Sequence, residues 1–120
     1  MDTDRLRDYR IILLDTNFIM LPFQFNIDIT TELPGKTLAT ITPVMEELEK
    51  IPRGKAGKQL VEQKNIKILK TTGYADEALI RTAEKEKAAI ATNDAELKEK
   101  CIKRNIPVIT MKGKSKLVII

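Results

Sequence analysis

The sequence predicts an α/β fold, a three-layer α/β/α sandwich built on a mainly parallel central sheet. Two observations carry this reading. Short apolar runs rich in Ile and Val recur along the chain, each bounded by turn formers. Between them lie longer segments with apolar residues at helical spacing. Strands that alternate with helices need crossover connections, and these give a parallel sheet covered on both faces.

The elements follow in order. Ile11-Ile-Leu-Leu14 is the first apolar run and ends at Asp15. Thr37-Leu-Ala-Thr-Ile41 follows Pro34-Gly35 and is the second strand. Thr42 then reads as an N-cap with Pro43 at the first helical position, opening a helix through residue 50. Residues 54–63 form a second helical segment. Ile66-Lys-Ile-Leu69 follows Asn65 as the third strand. Residues 75–86 give the clearest helix, with Ala75, Ala78, Leu79 and Ala83 on one face. Ala88-Ala-Ile-Ala91 is the fourth strand and ends at Thr92-Asn93-Asp94. Asn93-Asp-Ala-Glu96 has the form of a capping box with Asn93 as the cap, opening a helix to about residue 104. Pro107-Val-Ile-Thr110 and Leu117-Val-Ile-Ile120 close the chain as strands.

The chain has 120 residues, which fits a single domain over 1–120. Hydrophobic residues at 42% and charged residues at 32% indicate a globular rather than a disordered chain. No apolar run approaches the length of a membrane span, and the charged start from Met1 to Asp8 lacks a signal-peptide apolar region. A cytoplasmic setting with no membrane partner is expected. Cys101 is the only cysteine and there is no histidine. That excludes an internal disulfide, Cys-based zinc, His general-base catalysis and Ser-His-Asp triads. Any chemistry must use carboxylates, Lys, Tyr or a hard metal. The net charge of +4 favours an anionic partner such as nucleic acid only weakly.

Four acids follow four successive strands. Asp15 stands at the end of the first, Glu47 in the second turn of the helix after the second, Asp76 at the start of the helix after the third, and Asp94 at the start of the helix after the fourth. Right-handed crossovers put every strand-to-helix loop on one edge of the sheet, where open α/β sheets bind ligands. On the helix from Pro43, Glu47 borders the stripe of Val44, Leu48 and Ile51 and is expected to point toward the body. Asp76 falls inside the apolar stripe of its own helix, where a carboxylate needs a partner. Each acid also has a plain structural reading: Asp15 as a helix cap, Asp94 as a first-turn acid, Glu47 as a solvated charge, Asp76 as a cap or ion-pair member. The chemical reading is phosphodiester hydrolysis. Hard Mg²⁺ or Mn²⁺ on oxygen ligands can deliver water to phosphorus and stabilise the leaving oxygen, two ions roughly 4 Å apart forming a clamp. Clustered carboxylates repel one another without a cation, so metal should stabilise the fold.

Leu13-Leu-Asp-Thr-Asn17, Val44-Met-Glu-Glu-Leu48, Ala75-Asp-Glu-Ala-Leu-Ile-Arg-Thr-Ala83 and Ala91-Thr-Asn-Asp94 resemble, in order and over nearly the whole chain, the four motifs of the PIN-domain family. Lys70-Thr-Thr-Gly-Tyr-Ala-Asp76 and Asn105-Ile-Pro-Val-Ile-Thr-Met-Lys112 look most similar to archaeal relatives of its ribosomal-RNA-processing branch. The zinc-binding Cys/His cluster of some members of that branch is absent. The resemblance implies a PIN-like sandwich and a single-strand-directed, Mg²⁺- or Mn²⁺-dependent endoribonuclease, with single-stranded or structured RNA as the expected partner. It implies Asp15, Glu47, Asp76 and Asp94 as the catalytic and metal-binding acids, with Thr16, Asn17, Thr92 and Asn93 as polar support. Homodimers are common in the family, and a ribosome precursor or an antitoxin is a partner compatible with it.

Arg53, Lys55 and Lys58, with Lys112, Lys114 and Lys116, form the densest basic segments and are the candidate contacts to an RNA backbone; their plain reading is solvated loops. Phe18, Phe23 and Phe25 read as packing residues or a dimer face, and Cys101, four residues after Leu97, as core. Two other functions compete with the nuclease. A non-catalytic RNA-binding or ribosome-assembly scaffold would bind RNA regardless of metal or acids. A receiver-like signalling domain would place paired acids at the end of the first strand, and Asp15-Thr-Asn lacks the second.

Overall fold

In the computed structural model, which describes residues 4–120, every apolar run becomes a strand of one sheet. The first three residues of the charged start lie outside the described residues. The strands are β1 (Ile11–Leu14), β2 (Thr37–Ile41), β3 (Lys67–Leu69), β4 (Ala89–Ala91), β5 (Val108–Lys112) and β6 (Lys116–Ile119), in the spatial order β3-β2-β1-β4-β5-β6. β1 to β5 are all parallel, and only β6 runs antiparallel, as a hairpin on β5. The architecture is the predicted three-layer α/β/α sandwich.

The central strands show why their sequences carry no alternation. Ile12, Leu13 and Leu14 of β1 and Ala89, Ile90 and Ala91 of β4 are all buried, because helices cover both faces of a parallel sheet. β3 is an edge strand and is mostly exposed, with Lys67 leading it.

Between β1 and β2 the chain forms three helices of a single turn each, α1 (Thr16–Ile19), α2 (Leu21–Gln24) and α3 (Ile29–Glu32). Phe18 is fully buried, and Phe23 and Phe25 pack against the core, so these aromatics serve packing. The longer helices are α4 (Thr42–Lys50), α5 (Gly54–Gln63), α6 (Ala75–Glu86) and α7 (Ala95–Lys103). Strand order and right-handed crossovers place α1 to α5 on one face and α6 and α7 on the other. No helix among the described residues is long and apolar enough to cross a membrane.

Thr42 is not the expected N-cap. α4 already includes it, the cap position falls on Ile41, and no side chain caps the helix. The Thr42 hydroxyl is engaged elsewhere: it donates to the Thr71 carbonyl (2.6 Å) and accepts from the Thr71 amide (3.0 Å).

The α4–α5 corner depends on glycine. A Cβ on Gly54 would lie 1.6 Å from the Leu48 carbonyl oxygen, while one on Gly113, in the β5–β6 turn, would meet nothing within 4 Å. Gly54→Ala must therefore move backbone and should cost about 3 kcal/mol or more, the upper range for overpacking. Gly113→Ala meets only the penalty of a positive φ of 66° and should cost about 1 kcal/mol. Urea unfolding of the two variants checks the ranking; equal costs would refute the close approach at Gly54.

Candidate active site

The parallel pairing of β1 to β5 brings their carboxyl ends to one edge, and the strand order reverses between β1 and β4. Such a reversal leaves a crevice at the strand ends. Asp15 sits there, 4% exposed. Its amide continues the β1–β4 ladder by donating to the Ala91 carbonyl (3.0 Å). Its carboxylate accepts from the Thr16 amide (2.8 Å), the Asn17 amide group (3.1 Å) and the Thr92 hydroxyl (2.7 Å). Asp15 is thus also the N-cap of α1. The structural role and the site position coincide in one side chain.

The β4 loop closes the other side of the crevice. Thr92 is fully buried and accepts from the Asp94 amide (3.1 Å) while donating to Asp15. The cap of α7 is Asp94, whose carboxylate accepts from the Leu97 amide (2.9 Å), and not Asn93 as the capping box predicts. Asn93 is committed across the sheet instead. Its side-chain oxygen accepts from the Thr110 hydroxyl (2.9 Å) and the Met111 amide (2.8 Å) of β5, and its own amide donates to the Asn17 side chain (2.9 Å). With that oxygen taken by β5, helix α7 starts one residue later.

Glu47 is exposed rather than turned into the body, yet it is held at the site, accepting from the Thr16 hydroxyl (2.6 Å). Asp76, in the first turn of α6, is half-buried and takes no hydrogen bond or ion pair among the described residues. The loop before it is pinned at two points: Thr71 to Thr42, and Arg81, whose guanidinium donates to the Thr71 hydroxyl (3.0 Å) and the Thr72 carbonyl (2.6 Å).

The charges of these acids act on one another. Burial pushes the Asp15 carboxyl above its usual range; its hydrogen bonds from Thr92, Thr16 and Asn17 pull back, and the charge of Glu47 adds to the rise. Asp76 is raised by burial first, then by repulsion from Asp15 and Asp94, with Glu47 adding and Lys100 opposing. Cys101 lies beneath, buried, with its thiol pushed up to about 12 by burial and by the Asp76 and Asp15 charges, so it is an inert core residue. All four acids therefore share one electrostatic neighbourhood at the carboxyl edge, and no two stand on opposite rims.

The donor set suits a hard cation. Carboxylate, hydroxyl and amide oxygens are the ligands that Mg²⁺ and Mn²⁺ prefer, and a cation would relieve the repulsion that raises Asp15 and Asp76. Among the described residues no three acidic or cysteine side chains already stand in a metal-holding arrangement. Asp15, Glu47 and Asp94 each direct oxygens at a Thr, Asn or backbone donor.

The basic segments separate by position. Lys58 is paired with Glu49 at 2.6 Å, and Arg53 lies over the Phe23 ring (5.8 Å) and donates to the Phe23 carbonyl (3.3 Å). Lys55 is exposed on α5. Lys112, Lys114 and Lys116 occupy the β5–β6 turn, which lies at the same edge as the acids because β5 is parallel to β1. Lys112 faces Lys116 directly across the hairpin, an unfavourable like-charge pair that an anion would relieve.

Sequence reasoning missed the threonines. Thr40 donates to the Leu14 carbonyl (2.8 Å) inside the core, Thr71 ties to Thr42, and Thr110 to Asn93. Their signal was a hydroxyl residue recurring at strand ends, which carries weight only once the strands are known to be parallel.

Asp76 offers a measurable consequence. Its pKa rises above the ordinary 3.8 on folding although a helix N-terminus favours charge, so burial and repulsion outweigh the dipole. The folded state binds this proton more readily than the unfolded state. Stability is therefore lost as the pH rises through the folded value, and the penalty is absent below 3.8. In EDTA at neutral pH, Asp76→Asn should be more stable than wild type by a few tenths of a kcal/mol, given solvent screening. The difference should vanish in acid. Urea melts at both pH values check this, and a less stable variant at neutral pH would contradict the mutual repulsion.

The family described as PIN like domain matches residues 12–114 of this chain, a span that includes all four acids. The chain is 35% identical over 119 residues to Ribonuclease VapC4 of Methanocaldococcus jannaschii, covering 86% of this chain and 91% of that protein. It is 32% identical over 120 residues to Ribonuclease VapC9 of Archaeoglobus fulgidus, covering 90% of this chain and 89% of that protein. It is also 35% identical over 113 residues to the rRNA-processing protein FCF1 of Saccharomyces cerevisiae, covering 85% of this chain and 60% of that protein. A family match over most of the chain, joined to near end-to-end similarity with two archaeal ribonucleases, shows that the chain belongs to the PIN-like domain family.

Proposed function

We propose that this protein is a divalent-metal-dependent endoribonuclease that hydrolyses phosphodiester bonds of single-stranded RNA, with Asp15, Glu47, Asp76 and Asp94 holding Mg²⁺ or Mn²⁺. The observation that carries the reading is the mutual electrostatic coupling of these acids around a buried Asp15 at the β1–β4 reversal. The names of the two archaeal relatives support the activity, and the third relative makes precursor ribosomal RNA a substrate worth testing.

When bound, the metal would activate water and neutralise charge on the phosphate oxygens. The chain's own residues do the positioning. Asp15 is held by Thr16, Asn17 and Thr92, so its carboxylate is fixed at the strand-end crevice at low entropic cost. Thr16 orients Glu47, and Asn93 fixes the loop that carries Asp94 against β5. The Lys112–Lys116 turn lies where an RNA backbone entering along the same edge would meet cations.

Labelled single-stranded RNA with Mn²⁺ tests the activity. Losing a residue that merely orients a metal ligand costs about 10–100-fold, so Asp15→Asn and Asp94→Asn should each lose about 100-fold or more. Equal cleavage by wild type and both variants would remove the nuclease reading. RNA binding untouched by EDTA and by either substitution, without cleavage, would favour a scaffold.

Metal and RNA leave separate signatures. Mn²⁺ at about 100 times its Kd should stabilise wild type by about 2.7 kcal/mol, and Asp76→Asn should lose much of that gain. RNA affinity should fall with salt, each phosphate contact to a single strand contributing about 0.7 to the logarithmic slope. Replacing Lys112, Lys114 and Lys116 by Ala should then lower the slope by about 2. An unchanged slope would place the RNA backbone elsewhere.

A further inference from the structure

Tyr74 stands apart from the other aromatic residues. The chain has three Phe and two Tyr. Phe18 is buried, and Tyr9, Phe23 and Phe25 pack against the core. Tyr74 is 82% exposed and has no such packing. Burying an aromatic ring is favourable, so an exposed one offers a face that a ligand can cover. The loop that carries it is fastened in place. Thr71 is fastened to Thr42, Arg81 holds Thr71 and Thr72, and the Tyr74 carbonyl accepts from the Ala78 amide (2.9 Å) as α6 begins. Gly73 turns the chain at φ 102°, a conformation that a side chain would resist. The ring is thus presented on a fixed backbone.

Its place is equally specific. Tyr74 precedes Asp76 by two residues, a span of at most about 7 Å of chain. A nucleotide whose phosphate lies against the acids would have its neighbouring base within reach of the ring. We propose that Tyr74 is a base-stacking residue for single-stranded RNA, seating the base next to the phosphate held at the Asp76 side of the site. This rests on the nuclease reading and adds the recognition element that reading lacks. Stacking on an aromatic face tolerates any base, so Tyr74 sets the path and register of the strand rather than its sequence. A paired duplex hides its base faces, so the contact selects unpaired RNA.

An oligouridylate of about 12 nucleotides with one central 2-aminopurine is the probe, titrated in Ca²⁺, a hard oxygen-ligated ion that lets the acids hold a phosphate. The probe is shown to be intact on a gel after each titration, so that turnover does not enter the readout. Wild type should quench the 2-aminopurine fluorescence on binding. Tyr74→Ala should abolish the quenching and weaken binding by about 5- to 150-fold, the range for one stacked base. Tyr74→Phe keeps the ring and should retain both within about 2-fold. The thermal midpoint of Tyr74→Ala should match wild type, since among the described residues the ring is mostly exposed and is not packed against the core. Binding by wild type without quenching, or equal quenching and affinity in Tyr74→Ala, overturns the proposal; equal affinity is also the outcome if the ring serves a protein partner. Cleavage in Mn²⁺ is scored on the same preparations. Acid-dependent cleavage with an inert Tyr74→Ala would leave the nuclease standing and sink the stacking, whereas quenching without any cleavage would do the reverse.

Discussion

The molecule is organised around one buried carboxylate. Asp15 lies at the end of β1, one of the two central strands, and is almost wholly removed from water. A bare carboxylate there would be costly, and the three donors that compensate it come from both strands of the reversal: Thr16 and Asn17 after β1, and Thr92 after β4. Meeting that single requirement fixes two loops relative to each other. It also starts α1, because the same carboxylate that needs donors supplies the cap.

From Asp15 the constraint spreads along the edge by hydroxyl groups. Thr71 bonds Thr42, so the β3 loop is tied to the end of β2. Thr40 bonds the Leu14 carbonyl, tying β2 to β1. Thr92 bonds Asp15, tying β4 to β1, and Thr110 bonds Asn93, tying β5 to the β4 loop. Each threonine adds a side-chain link to the backbone ladder, Thr40 and Thr110 from within their strands and Thr71 and Thr92 from the loops that follow. A site assembled from four separate loops needs such links, because an acid displaced by about 1 Å is a much poorer ligand or catalyst. Hydroxyls suit this linking role because they donate and accept at once, and they carry no charge to compete with the acids.

How much of this was legible follows from length and from locality. All six strands were readable, since burial on both faces makes a parallel strand a continuous apolar run, as in Ile11–Leu14. α5 and α6 span several turns and display their period, whereas α1, α2 and α3 have four residues each and cannot. Asn93 and Asp94 are both good caps, and the choice between them was made by β5, which takes the Asn93 oxygen. Thr42 was likewise diverted by Thr71. The common edge for Asp15, Glu47, Asp76 and Asp94 followed from alternation of strands and helices alone. Side-chain orientation did not: Glu47 is exposed and held by Thr16, a contact across 31 positions of sequence.

Repulsion among the acids has to be offset by the rest of the fold, and the sheet shows where. The strands flanking the reversal are the most completely buried, with no exposed residue in Ile12, Leu13, Leu14, Ala89, Ile90 or Ala91. Asp15 and the Asp94 loop hang from this rigid base, so their repulsion is not relieved by local unfolding. Asp76 differs, following β3, two strands out from β1, behind a loop held by Arg81 and Thr42 rather than by the core. Among the described residues it is also the acid without a hydrogen-bond donor. The acid with no donor of its own is thus held by its loop, through Thr71 to Thr42 and Arg81 to Thr71 and Thr72, so Tyr74 and Asp76 keep a fixed relation at the start of α6. The repulsion on Asp76 is then left for a cation to relieve rather than for the backbone, and the ring beside it is held ready at the same place.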